Sequence, residues 1–268
     1  MSYFAITIDV DPPIPPSYGS MFVERGIEIF LKLLDRYAIK ATFFVPARVA
    51  EKFPAIIKEV VKKRHEVACH GLEHNKREAL MNVSKQVQII KIATEIIESI
   101  TGSRPLGYRA PLFNINKNCW IALRKNDYIY DCSVVCSPLL YKKYNSYHFS
   151  TKPFFIFNKC EAHNLIEIPV STNPLLPFPL GGTYLRIFGM RWCKLGVKIN
   201  FLLRNPVVFY IHPKDIIPRS WGSHWWWYRN TDKCMKMFEE IIEYVMQCGA
   251  KFIKAYELAK LFGYNSFK

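Results

Sequence analysis

Tyr3-Phe4-Ala5-Ile6-Thr7-Ile8-Asp9-Val10-Asp11 begins as an apolar, β-branched run and ends on two carboxylates separated by one residue. The apolar part reads as a buried strand. Pro12 and Pro13 follow, which argues against a helix starting there with an aspartate as its cap. Outward from this stretch the pattern alternates. Met21 to Tyr37 has a helical period, Ala41 to Val45 is a second strand, Phe53 to Lys63 a helix, and Glu66 to Cys69 a short strand. Ser84 to Ile100 is a strongly periodic helix, with Ser84 as its expected cap and Gly102 just past its end. Tyr108 to Pro111 reads as a strand end, Asn116 to Lys125 as a helix, and Tyr128 to Asp131 as a short strand. From Ser137 to Phe188 the expectation is loops and short strands, with a tight turn at Gly181-Gly182. Val207 to Ile211 is a buried strand, Thr231 to Cys248 a helix, and Phe252 to Ala255 a last strand before a short terminal helix. Strands separated by helices imply parallel pairing through crossovers, and six or seven such units close into an α/β barrel. No linker or repeat divides residues 1–268, so one domain is expected.

Composition bounds the rest. The chain has 268 residues, enough for one sizeable core, and 37 basic against 22 acidic side chains give a net charge of +15. Such a surface attracts anions, whether phosphorylated or lipid-linked substrates, acidic membranes or nucleic acid, and charge alone does not choose among them. Nucleic acid is set aside because no helix-turn-helix, zinc finger or aromatic RNA platform accompanies the charge. The eight cysteines show neither zinc-site spacing nor a secreted disulfide framework and read as reduced, mostly buried thiols. Met1 to Ala5 has no basic leader region, and no stretch of 18 apolar residues exists. The expectation is a cytoplasmic protein, peripheral at the inner face of the membrane if its substrate is an envelope precursor.

In a parallel barrel, reactive residues gather at the C-terminal ends of the strands. That filter selects Asp9 and Asp11, His70 with His74 four residues on, Arg109, and His212. Two imidazoles four apart share a face if they lie on one helical turn, and a carboxylate from the first strand completes a two-histidine, one-carboxylate cation site. In the Asp-Val-Asp pair, one carboxylate can bind the cation while the other takes a proton. Arg109 can orient that base, and His212, whose unperturbed pKa is about 6.5, suits a general acid.

These residues together resemble the polysaccharide deacetylases, also called the NodB-homology family or carbohydrate esterase family four. Thr7 to Asp11 is similar to the first motif, His70 to Asn75 to the second, Gly107 to Pro111 to the third, Tyr130 to Ser133 to the fourth, and Phe209 to Pro213 to the fifth. The resemblance implies a distorted (β/α)7 barrel and removal of an N-acyl group from an amino sugar. It implies Asp9 as base, Asp11, His70 and His74 as metal ligands, Arg109 as the partner of the base, and His212 as acid. The metal implied is divalent, with zinc as the default and iron, manganese or cobalt suited to the same ligands. Substrate contacts are expected from Pro111, Leu112 and Phe113, the oxyanion donor being a backbone N–H just after Pro111, and from Tyr184 and Trp225. The separated aspartates resemble a subgroup that includes sugar deformylases acting on lipid-linked aminoarabinose and some cell-wall and exopolysaccharide deacetylases. Val134-Val135 replaces the usual Asp-Trp pair of the fourth motif, and Asp215 is the expected substitute for its carboxylate.

Trp221, Trp225, Trp226, Trp227 and Tyr228, interleaved with His224 and Arg229, suit either sugar stacking or an anionic membrane interface. The substrate expected is therefore an N-acetylated amino sugar of a polysaccharide or lipid-linked glycan. Release of formate would instead mark a deformylase or other C–N hydrolase. A non-catalytic sugar-binding barrel is disfavoured by the retained Asp9, Asp11, His70, His74, Arg109 and His212.

Overall fold

The computed structural model describes residues 1–12, 21–140, 142, 150–157, 164–217 and 230–265. The chain order is β1 (Tyr3–Asp9), α1 (Gly26–Arg36), β2 (Thr42–Val45), α2 (Ala47–Lys52), α3 (Pro54–Lys62), β3 (Glu66–Cys69), α4 (Val83–Thr101), β4 (Gly107–Tyr108), α5 (Lys117–Lys125) and β5 (Tyr130–Asp131). There follow β6 (Phe154–Phe155), β7 (Ile166–Glu167), α6 (Gly182–Leu202), β8 (Val207–Ile211), α7 (Pro213–Ile216), α8 (Thr231–Gln247), β9 (Lys251–Phe252) and α9 (Ala255–Asn265).

The strands form one curled sheet in the order β6-β7-β5-β4-β3-β2-β1-β8, with β9 also paired to β1. Pairing is parallel throughout except between β6 and β7. Beyond β7, the 170–181 segment turns back towards β8. Ser171 N–H donates to the Val208 carbonyl at 3.2 Å, and Gly181 bridges Tyr210. The result is the distorted α/β barrel that the alternation and the family resemblance predict. Strand β1 is covered on both faces: Phe4, Ile6 and Ile8 on one side and Ala5 and Thr7 on the other are wholly buried, as parallel sheets covered by helices require. The described cysteines form no disulfide, and all but Cys248 are buried.

Three expectations are corrected. The last part of the 137–188 stretch read as loops and short strands, residues 182–188, belongs to the helix Gly182–Leu202, and Gly181-Gly182 opens it instead of making a tight turn. The cap of α4 is Asn82, whose side chain accepts from Lys85 N–H at 2.9 Å, not Ser84, which lies inside the first turn. The histidines at 70 and 74 do not share a helical turn. They stand on a bend after β3 in which Gly71 has φ +78° and His74 φ +60°. The aromatic run at 221–228, including Trp225, lies outside the described residues.

Two measurements follow. Asn82→Ala is expected to lower stability by about 1 kcal/mol, whereas Ser84→Ala changes it little, in urea denaturation. His65 is buried, its Nδ1 accepting from Ala41 N–H at 3.1 Å, and burial lowers its pKa from 6.5 to about 4. Below pH 6.5 the unfolded chain therefore binds a proton that the folded chain refuses, so stability falls with pH from about 6.5 towards 4. His65→Gln is expected to flatten that part of the pH profile.

Candidate active site

The functional side chains cluster because parallel strands point their C-terminal ends the same way. Asp9 ends β1, and Val10 N–H continues the ladder by donating to Phe44 O at 2.9 Å. Side chains two apart on extended backbone share a face. Asp9 and Asp11 thus point together into the site while Val10 is wholly buried in the core between them.

The two carboxylates then diverge. Asp11 Oδ1 lies 2.9 Å from His74 Nε2 and 3.6 Å from His70 Nε2, and one ligand atom from each of the three residues falls within 4.8 Å of the others. Buried as it is, Asp11 Oδ1 accepts no hydrogen bond of sound geometry. His70 Nδ1 is 2.7 Å from the Arg109 carbonyl, which can accept only if that nitrogen carries the proton. This tautomer turns the bare Nε2 of His70 towards Asp11. An outer carbonyl that fixes a histidine in this way is the usual support of a metal ligand. An orphaned carboxylate oxygen facing two imidazoles fits a divalent cation. Burial works to raise the Asp11 carboxyl, but His74, Lys214 and His212 outweigh it and hold it well below the usual carboxylate range. Lys214 pairs with the second oxygen, Oδ2.

Asp9 is tied elsewhere. Arg109, at the end of β4, is fully buried and donates from Nη1 to Asp9 Oδ1 at 2.5 Å and to Thr7 Oγ1 at 2.9 Å. Its Nε donates to Cys132 O at 2.9 Å and its Nη2 to Cys132 Sγ at 2.9 Å, while Phe44 lies beneath the guanidinium at 4.1 Å. Burial opposes the guanidinium charge; Asp9 and Cys132 more than offset it, so the pKa of Arg109 rises. The free oxygen of Asp9, Oδ2, faces His212 Nε2 across 4.0 Å, too far for a direct hydrogen bond.

His212 ends β8. Its Nδ1 is 2.8 Å from Asp215 Oδ2, which also accepts the His212 backbone N–H at 3.0 Å, and its Nε2 is 3.7 Å from Asp11 Oδ2. Arg186 Nη2 donates to Asp215 Oδ1 at 2.7 Å. Burial pushes the Asp215 carboxyl up, but His212, Arg186 and Lys214 prevail and hold it below its ordinary value. Gly182 makes room for this carboxylate, since a Cβ there would sit 2.4 Å from Asp215 Oδ2.

Around this centre, Leu112 is exposed at 51%, with φ +56°, and Phe113 follows with φ +58°. Pro111 and Phe113 are buried, the Phe113 ring edge-on to Tyr210 at 5.2 Å. Tyr184, expected to contact substrate, is instead 4% exposed and packed against Phe178 and Phe188. Its ring backs the wall rather than facing out. Four supports were not assigned roles from sequence: Thr7, Cys132, Arg186 and Gly182. Thr7 carried a signal, standing two residues before Asp9 on the same strand face. Arg186 and Gly182 carried none, because only the fold brings α6 against α7.

Arg186→Met is expected to cost about 3–5 kcal/mol at neutral pH, because it strands a buried carboxylate. Arg186→Met combined with Asp215→Asn is expected to recover part of that loss in urea denaturation.

The chain is similar to known proteins over parts of its length and in its fold. A family model described as polysaccharide deacetylase matches residues 2–130, and one described as a domain of unknown function (DUF3473) matches residues 133–251. The chain is 33% identical to a peptidoglycan deacetylase of Helicobacter pylori over 47% of this chain and 42% of that one. It spans less than half the length of the curated relatives it matches. Among solved structures, a candidate polysaccharide deacetylase from Mycobacterium smegmatis shares its fold at a TM-score of 0.69, with 19% identity over 91% of this chain and 83% of that one. A family 4 acetyl xylan esterase from Clostridium thermocellum, in complex with a cobalt ion, superposes at 0.58, with 16% identity over 98% and 92% of the two chains.

Proposed function

We propose that this chain is a member of the polysaccharide deacetylase (NodB-homology, carbohydrate esterase four) family and hydrolyses the N-acetyl group of an amino sugar in a polysaccharide or lipid-linked glycan. The observation that carries the reading is the division of labour in the Asp-Val-Asp pair: Asp11 faces two imidazoles while Asp9 is held by Arg109. The peptidoglycan deacetylase relative supports an N-acetylated glycan as the substrate class.

Asp11, His70 and His74 would hold a divalent cation, zinc being the first choice. Bound there, it would supply Lewis-acid polarisation of the acyl carbonyl and a more acidic water. The remaining work falls to side chains of the chain itself. Arg109 occupies one oxygen of Asp9 and leaves Oδ2 to take the proton of an attacking water. That oxygen and His212 Nε2 face each other across 4.0 Å, so the proposed base and acid stand on adjacent sides of the same centre. Asp215 holds the Nδ1 proton of His212, so Nε2 is the atom that delivers a proton to the leaving nitrogen. The backbone N–H just after Pro111 lies in the left-handed turn at Leu112 and suits the developing oxyanion. The exposed Leu112 side chain offers an apolar contact to the sugar.

The test is elemental analysis of the purified protein together with acetate release from N-acetylglucosamine oligomers. His70→Ala and His74→Ala are expected to lose metal and turnover together. Asp9→Asn is expected to retain metal while turnover falls by about 10²–10⁴-fold. Full acetate release by a metal-free preparation would defeat the proposal, and release of formate alone from N-formyl substrates would move the acyl specificity.

A further inference from the structure

The α6 helix carries a second surface, separate from the catalytic centre. One side of it is core: Leu185, Cys193, Gly196, Val197 and Asn200 are buried. The other side presents Phe188, Arg191, Leu195, Lys198 and Leu202 at alternating spacings of three and four, all exposed to solvent. That spacing places Arg191, Leu195, Lys198 and Leu202 on one face of the helix that follows the break at Gly189, while Phe188 stands just before the break. Phe188 is 37% exposed, Leu195 43% and Leu202 71%. Isolated exposed leucines are ordinary, but a row of them is not. The row is extended at its N-terminal end by Phe178, whose ring lies 5.1 Å from that of Phe188, and by the exposed Leu175 and Leu176 before it. Trp192, half-buried, packs against Phe188 with its ring tilted 43° at 5.0 Å.

The charge on this face has a single sign. Between Glu167 and Asp215 the sequence contains no acidic residue at all. Among the described residues, Arg191, Lys198 and Arg204 have no carboxylate within ion-pair distance. A solvated helix face normally alternates acids with bases to form i, i+4 pairs, as Lys91 and Glu95 do on α4. Here cations are set among leucines instead. Long basic side chains can lift their charges past an apolar layer. A helix with Leu and Phe able to enter the acyl boundary, and Arg and Lys able to reach anionic headgroups, lies in the plane of a membrane surface. No described helix is long and apolar enough to cross one.

We propose that this face of α6, continued by Leu175 and Leu176, docks the protein onto an anionic phospholipid bilayer. The proposal requires no turnover and does not depend on the deacetylase reading.

It is tested by flotation of the full chain with vesicles of phosphatidylcholine alone and of phosphatidylcholine mixed with phosphatidylglycerol. The wild type is expected to float with the mixed vesicles and not with the neutral ones, and to be released by salt. Leu195→Asp with Leu202→Asp removes the apolar part; Arg191→Glu with Lys198→Glu reverses the charge. Each pair is expected to reduce binding by at least about tenfold, with circular dichroism unchanged. Lys58→Glu with Lys62→Glu, which makes the same charge change on α3, is expected to leave binding within about twofold of wild type. Three outcomes would overturn the proposal: no binding of the wild type to mixed vesicles, equal loss from the α3 pair, or dimerisation in sedimentation that the Leu195/Leu202 pair abolishes without any vesicle binding.

Discussion

A guanidinium with no solvent exposure must find all its partners inside the protein, and Arg109 decides much of this architecture by that demand. Desolvating an isolated charge costs several kcal/mol even after relaxation, so it survives only when paired and hydrogen-bonded. Asp9 supplies the charge, Thr7 and Cys132 the remaining acceptors, and Phe44 a ring face. These partners come from β1, β2 and the end of β5, so one side chain from β4 fixes the relative height of four strand ends. It also fixes which carboxylate is available. With Oδ1 of Asp9 occupied, only its other oxygen remains for proton transfer, and Asp11, two positions on, is left to the imidazoles.

The same device recurs on the other side of the centre. Arg186 neutralises Asp215, and Asp215 orients His212. Each acid–base side chain is thus set by a buried arginine drawn from a different part of the chain. Arg109 lies within the 2–130 match and Arg186 within the 133–251 match. The second stretch is accordingly not an appendage. Strand β8 pairs along the length of β1, and without it the general-acid candidate, its carboxylate and its arginine would all be missing.

What could be read in the sequence follows from locality. Asp9, His70, Arg109 and His212 each sit where an apolar run stops, and a parallel sheet brings such points together whatever the details of the crossovers. Asp215 was accessible for the same reason, three residues after His212 and within reach of its own backbone and ring. The H-x₃-H spacing was informative but its geometry was not: two left-handed residues, Gly71 and His74, make a bend do what a helical turn was expected to do. Helix α6 was hidden because Gly181-Gly182 carries turn chemistry and Gly189, with φ +79° and ψ −178°, interrupts the helical pattern. Arg186 was invisible for a stronger reason. Its partner is 29 residues away in sequence, and nothing short of the packed fold sets them side by side.

Helix α6 also links the two surfaces. Its first turns are dictated by the catalytic side: Gly182 must lack a side chain because Asp215 lies against it, and Arg186 must be buried to neutralise that carboxylate. These constraints use up the inward face. They do not explain the outward one, where Leu195 and Leu202 could be polar without cost to the core. The break at Gly189 separates the two regimes, with the site-directed residues before it and most of the basic, leucine-bearing stripe after it. An element whose one end orients the acid and whose other end bears on a surface would tie the strand ends to that surface. On the proposed reading of a lipid-carried glycan substrate, the site requires that kind of registration.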